Sequence, residues 1–227
     1  MGRKTTAAAV GIQAGGAGLQ GLLRLPPHAA SVILFAHGSG SGRLSPRNNF
    51  VAEHLQQAGI ATLLFDLLTE QEEEVDALTT ELRFNIPFLT ARLAAASEWT
   101  LRQPQLRGLA LGYFGASTGA AAALAAAAET PEVTAVVSRG GRPDLAGLAL
   151  PRVRAATLLI VGGNDPQVLA LNRKALQELR CEKELAVVPD ATHLFVEPGA
   201  LEQVTALATE WFRRHARPHG APAPADR

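Results

Sequence analysis

Residues 115–119 read Gly115-Ala116-Ser117-Thr118-Gly119, a serine held at the spacing Gly-x-Ser-x-Gly. An apolar run, Leu109 to Phe114, leads into it, and an alanine-rich run, Ala120 to Ala128, leads out. This context predicts a strand, a sharp turn and a helix, with Ser117 on the turn in a strained conformation and its hydroxyl lifted clear of a sheet. The flanking glycines let neighbouring backbone pass without a Cβ clash. A serine hydroxyl is a weak nucleophile and needs a base beside it. The base needs an acid to hold its tautomer and stabilise its charged form. Both candidates follow downstream, in the order serine, acid, histidine. Asp165 lies in Val161-Gly162-Gly163-Asn164-Asp165-Pro166, and His193 in Asp190-Ala191-Thr192-His193-Leu194-Phe195. The chemistry such a set performs is acyl transfer. An oxyanion would be met by the N–H of Thr118, at the start of the helix, and by the N–H of Ser39 in the loop Ala36-His37-Gly38-Ser39-Gly40-Ser41-Gly42, with Gly40 as the alternative second donor.

Each assignment has a plainer competitor. Asp165, directly before Pro166, also reads as a helix N-cap, a duty compatible with catalysis. Asp190 and Asp144 are rival acids. Of the other histidines, His28, His37, His54, His215 and His219, only His37 borders the site. It would either contact substrate or hold the oxyanion loop through side-chain hydrogen bonds. Arg43, Arg139 and Arg142 could bind a substrate carboxylate with a planar guanidinium, or form salt bridges to Asp144 or the acidic stretch 70–82. Phe114, Leu194 and Phe195 would wall an acyl pocket, or simply be core.

These residues need a frame. Short apolar runs alternate with helical patterns, as in a mostly parallel sheet with helices on both faces. Strands are expected at Ala7 to Gln13 and Leu19 to Leu25, paired across Gly15-Gly16, and at Ser31 to Ala36, Ile60 to Phe65, Leu109 to Phe114, Val133 to Val137, Ala155 to Val161 and Leu185 to Pro189. Helices are expected at Arg47 to Ala58, Ile86 to Arg102, Ala120 to Ala128, Gln167 to Leu179 and Leu201 to His215. Residues 70–82, rich in Glu, read as a solvated loop. Residues 1–216 are expected to form one domain, followed by a disordered Pro- and Ala-rich tail over 217–227. Each catalytic candidate then falls at the C-terminal end of a strand, the edge where open α/β sheets carry their sites.

Composition narrows the partners. The 227 residues are 47% hydrophobic, and 21 basic residues balance 21 acidic ones. Zero net charge gives no electrostatic reason to expect nucleic acid or an anionic membrane. The one cysteine, Cys181, excludes an intrachain disulfide and reads as a small buried hydrophobe. No apolar run reaches the roughly 18 residues of a membrane span, and none of signal-peptide length follows Arg3 and Lys4. A cytoplasmic protein is expected. No metal-ligand cluster is evident, so neither a metal nor an organic cofactor is expected. The expected partner is a small-molecule ester, and a homodimer stays open.

Together, the elbow, the Gly-Gly-Asn-Asp turn, the Ala-Thr-His segment and Arg139-Gly140-Gly141-Arg142-Pro143-Asp144-Leu145 resemble the α/β-hydrolase superfamily, and within it the dienelactone-hydrolase-like group. The resemblance runs from His37 to the final helix. It implies an α/β-hydrolase fold. The shortness of segment 138–154 leaves no room for a large cap domain. Two positions depart from the group. Dienelactone hydrolases proper use a cysteine nucleophile, where this chain has Ser117. They also hold a glutamate near it, where this chain has His37-Gly38-Ser39-Gly40. The implied activity is a serine hydrolase for small carboxylic esters or lactones, favouring short acyl chains. An amide, thioester or organophosphate is the alternative bond. A non-catalytic ligand-binding protein is the rival class, against which the complete set of three residues argues.

Overall fold

The computed structural model describes residues 7–217. The expected tail from residue 218 onward, with His219, lies outside the described residues. The chain begins as an antiparallel hairpin, β1 (Ala8–Ala14) and β2 (Ala17–Arg24). Gly15 and Gly16 make its turn at φ 57° and 87°, values that glycine adopts without strain. Then follow β3 (Ser31–Ala36), α1 (Pro46–Gln57), β4 (Ala61–Phe65), α2 (Glu70–Thr79), α3 (Ile86–Arg102), β5 (Ala110–Ala116), α4 (Thr118–Glu129), β6 (Val133–Arg139), β7 (Ala156–Gly162), α5 (Pro166–Glu178), β8 (Lys183–Val188) and α6 (Ala200–His215). The eight strands form one sheet in the order β1-β2-β4-β3-β5-β6-β7-β8. β3 to β8 are parallel, and β2 pairs antiparallel with both β1 and β4.

Two apolar layers sandwich the sheet. On one face α3 and α4 cover Leu34, Leu63, Tyr113 and Leu159. On the other α1 and α6 cover Ile33, Phe35, Phe114 and Ile160. Strand alternation sorts the residues: Tyr113 and Phe114, adjacent in β5, point to opposite layers. The alanines of α4 explain its close seat, since Ala120 to Ala123 are all fully buried against sheet and neighbours. Segment 138–154 forms a 3-10 stretch over Pro143–Arg152, and no cap domain rises from it.

Residues 70–82 correct the sequence reading. They hold helix α2, not a loop. Thr69 accepts from the Glu72 N–H at 3.2 Å while the Glu72 carboxylate accepts from the Thr69 N–H at 2.8 Å, a reciprocal capping box. Acidic residues in the first turn also suit the positive end of the helix dipole. Nor is the segment wholly solvated: Asp76 is 2% exposed and forms an ion pair with Arg83. Hydrogen bonds to the N–H groups of Leu82 and Arg83, together with the Arg83 cation, hold the Asp76 carboxyl below its usual range against the opposing cost of burial.

Candidate active site

Ser117 sits between β5 and α4 at φ 51°, ψ −122°. A non-glycine residue there costs roughly 1–3 kcal/mol and persists only when its surroundings enforce it. They do so from two sides. The Ser117 N–H donates to the Arg139 carbonyl at 3.3 Å, and the Ser117 carbonyl accepts from the Arg142 N–H at 3.1 Å. The glycines of the motif are steric requirements. A Cβ at Gly115 would lie 2.5 Å from Ala120 Cα, and one at Gly119 would lie 2.2 Å from the Ala36 carbonyl oxygen. Ser117 is the N-cap residue of α4, yet its side chain makes no cap hydrogen bond, so its hydroxyl is not spent on the helix.

His193 lies on the loop between β8 and α6, bracketed by two residues in left-handed conformation, Asp190 (φ 58°) and Phe195 (φ 54°). Phe195, 2% exposed, anchors the loop in the α1/α6 layer. The turn after β7 is stitched to it: Asn164 N–H donates to the Ala191 carbonyl at 2.9 Å and Asn164 Nδ2 to the Asp190 carbonyl at 3.0 Å. A Cβ on Gly162 would fall 2.3 Å from the Ala191 oxygen, which explains the glycine. This stitching delivers His193 Nδ1 to Asp165 Oδ2 at 2.7 Å. The other oxygen of Asp165 accepts from the Val168 N–H at 3.4 Å and caps α5, so the two readings of Asp165 coexist. Neither rival acid holds His193: its Nδ1 partner is Asp165, while Asp144 pairs with Arg142 at 2.8 Å. His193 stands over the end of β6, its Cε1 3.6 Å from where a Gly140 Cβ would be. That is one residue beyond Arg139, whose carbonyl holds Ser117. Ser117 Oγ has no hydrogen bond among the described residues; catalytic contacts often tighten only with substrate.

A narrow cleft opens beside Ser117, lined by Gly38, Ser39, Gly40, Leu68, Glu73 and Thr118 among others. It brings the three expected oxyanion-hole residues to one surface. Gly38 lies close enough to the elbow that a Cβ there would be 3.0 Å from Ser117 Cβ.

The expected substrate contacts fare differently. His37 borders the cleft, but both its nitrogens are taken: Nε2 accepts from the Leu67 N–H at 2.9 Å, and Nδ1 donates to the Gly38 carbonyl at 3.0 Å. Both bonds tie it to the protein, one to its own loop and one to the segment after β4. Arg43 is bound to Asp66 through its backbone N–H at 2.7 Å and through a guanidinium ion pair. It ties the end of that loop to the end of β4. Phe114 is fully buried, its ring centroid 4.9 Å from that of Phe35, and belongs to the core. Leu194, beside His193, is 46% exposed at the surface of the site. Arg139 is buried with an unpartnered guanidinium nitrogen. Cys181 is half-buried, not buried, and packs against the rim of the core. Sequence reasoning missed Asp66 and α2. The Thr69-Glu70-Gln71-Glu72 capping signature was the available sign of the helix; nothing local marked Asp66 as a partner for Arg43.

Comparison with known proteins adds a lineage. Residues 19–216 match the dienelactone hydrolase family. A dienelactone hydrolase from Anabaena variabilis is 56% identical, with a TM-score of 0.93 over 95% of this chain and all of that one. Est1E from Butyrivibrio proteoclasticus, 17% identical, shares the fold with a TM-score of 0.75 over 90% of this chain and 97% of that one. Two Mycobacterium tuberculosis proteins provisionally named phosphoribosyl transferases are 53% identical over 207 residues. That match takes in 91% of this chain and 46% of theirs, so the chain spans about half the length of these relatives. No described helix is long and apolar enough to cross a membrane.

Proposed function

The chain belongs to the dienelactone hydrolase family, and from that premise we propose that it is a serine hydrolase cleaving small carboxylic esters or lactones. The observation that carries the reading is the 2.7 Å hydrogen bond between His193 Nδ1 and Asp165 Oδ2. A carboxylate on Nδ1 keeps the proton there and leaves Nε2 as the base. Nε2 takes the Ser117 proton as Oγ attacks the ester carbonyl carbon. The oxyanion is met by the N–H groups of Thr118 and Ser39, or Gly40, each worth about 3 kcal/mol of transition-state stabilisation. The tetrahedral intermediate collapses, the C–O bond breaks, and imidazolium protonates the leaving alcohol. A water, deprotonated by the same Nε2, then attacks the acyl-enzyme and releases the acid, restoring Ser117. The absence of a cap domain among the described residues supports short acyl chains or compact lactones as substrates.

The transferase name of the mycobacterial relatives attaches to proteins of about twice the matched length. The residues shared with this chain span the hydrolase fold, so the hydrolase reading is the one taken for them. The test is hydrolysis of p-nitrophenyl acetate, butyrate and octanoate. Acetate and butyrate are expected to turn over faster than octanoate, with Ser117→Ala reducing kcat by about 10⁴-fold or more. Equal turnover by the variant, or no turnover by folded wild type, would overturn the ester reading. A protein active only on amides, thioesters or organophosphates would keep the triad and change the bond.

A further inference from the structure

Unpartnered buried polar atoms occur at the end of β6 and in the first turn of α1, two elements of the α1/α6 side of the sheet. Arg139 ends β6, and its backbone carbonyl is the acceptor that holds the Ser117 N–H. Ala135 and Val137 of the same strand point into the α1/α6 layer, and strand alternation sends Arg139 the same way. The residue is 8% exposed, and Nη1 is buried without a hydrogen bond. Among the described residues no carboxylate pairs with it. Three aspartates around the site are committed elsewhere, Asp66 to Arg43, Asp144 to Arg142 and Asp165 to His193. A second cation lies within electrostatic range of it. Arg47, in the first turn of α1, has a buried Nε without a partner, and its charge bears directly on Arg139. Burial and that repulsion push the Arg139 guanidinium down to about 10. Next to Arg47, Asn48 is 2% exposed with a buried Oδ1 that accepts nothing. Turning its amide over would put an N–H donor in that place.

Two guanidiniums within electrostatic range of one another, one of them buried, make a costly arrangement unless an anion completes it. We propose that Arg139, Arg47 and Asn48 form a binding site for a dianionic phosphoryl group next to the nucleophile. Two cations match a charge near −2, and guanidinium forks bind phosphate oxygens bidentately. The positive end of α1 adds to the same field. A carboxylate would balance only one of the two cations. The phosphoryl group would be borne either by the substrate of this hydrolase or by a separate ligand. Only the choice between these two rests on the esterase reading.

The experiment is titration of the full chain with inorganic phosphate at about pH 8, where phosphate is a dianion, read by calorimetry and by thermal midpoint. Wild type should bind saturably and more tightly than it binds acetate. Arg139→Met and Arg47→Gln should each weaken binding about tenfold or more and remove the phosphate-induced rise in midpoint. In phosphate-free buffer Arg139→Met should melt no lower than wild type, because it deletes an uncompensated charge. Ser117→Ala should bind phosphate as wild type does, which separates this site from the catalytic reading. Competitive inhibition of ester hydrolysis by phosphate would assign the phosphoryl group to the substrate, and binding without competition to a separate ligand. Absence of saturable binding, binding untouched by both arginine variants, or acetate binding as tightly as phosphate would overturn the proposal.

Discussion

Two histidine-bearing loops meet at the same edge of the sheet, and they treat their imidazoles in opposite ways. The loop after β3 buries His37 to 7% exposure and uses both ring nitrogens. Because the Leu67 N–H can only donate, Nε2 must accept, and the ring is held neutral. Burial accordingly pushes its pKa below the ordinary value. The loop after β8 leaves the His193 side chain 39% exposed and engages Nδ1 alone among the described residues. One ring is a strut with no nitrogen to spare. The other is aimed by a carboxylate and keeps a nitrogen available for proton transfer. The number of protein hydrogen bonds, more than nearness to Ser117, separates the two rings.

Substitutions can break this contrast. His193→Gln should cost the most, about 10⁶-fold in kcat on p-nitrophenyl acetate with the fold intact by circular dichroism. Asp165→Asn should lower kcat about 10⁴-fold by releasing the tautomer. Asparagine still caps α5, so the thermal midpoint should hold, whereas Asp165→Ala should also lose about 1 kcal/mol of stability. His37→Gln should act more weakly on rate, about 10–100-fold, because it loosens the loop that presents an oxyanion donor without deleting the donor. It should cost about 1–3 kcal/mol in urea unfolding if the Leu67 N–H goes unsatisfied. A His37→Gln loss as deep as that of His193→Gln would collapse the distinction between strut and base.

The smallest effect is on pH dependence. His37 has a lowered folded pKa, so below its ordinary value of 6.5 the unfolded chain binds the extra proton first. Its contribution to stability is therefore complete above pH 6.5 and declines as pH falls below it toward the lowered folded value. His215 is shifted the same way by burial, so the wild-type curve contains both. Thermal midpoints of wild type and His37→Gln across this range should converge as pH drops, and a constant gap would contradict the assignment.

Much of the site was legible because its signals are local. The elbow declares itself through glycines that a Cβ would forbid, at Gly115 and Gly119. Asp165 and His193 follow strands whose apolar runs are evident, and Asp165 even carried its second duty as a cap in the neighbouring proline. Helix α2 is hidden in the sequence because its glutamates also read as solvated charge, although Thr69 and Glu72 stand at capping-box spacing. Phe114 was ambiguous for another reason: a strand residue next to the site can face either layer, and only the packed sheet assigns the side.

The sequence by itself therefore determined the parallel α/β frame, the strained serine turn and the placing of Ser117, Asp165 and His193 after strand ends, since backbone sterics and strand-end positions are encoded within a few residues. Only the tertiary structure decided which charges cancel. Arg43 meets Asp66 across 23 residues of chain, His37 meets Leu67 across 30, and Arg139 meets no carboxylate among the described residues. Such pairings depend on which strand ends the sheet order β4-β3-β5-β6 brings side by side, and no local pattern carries that information.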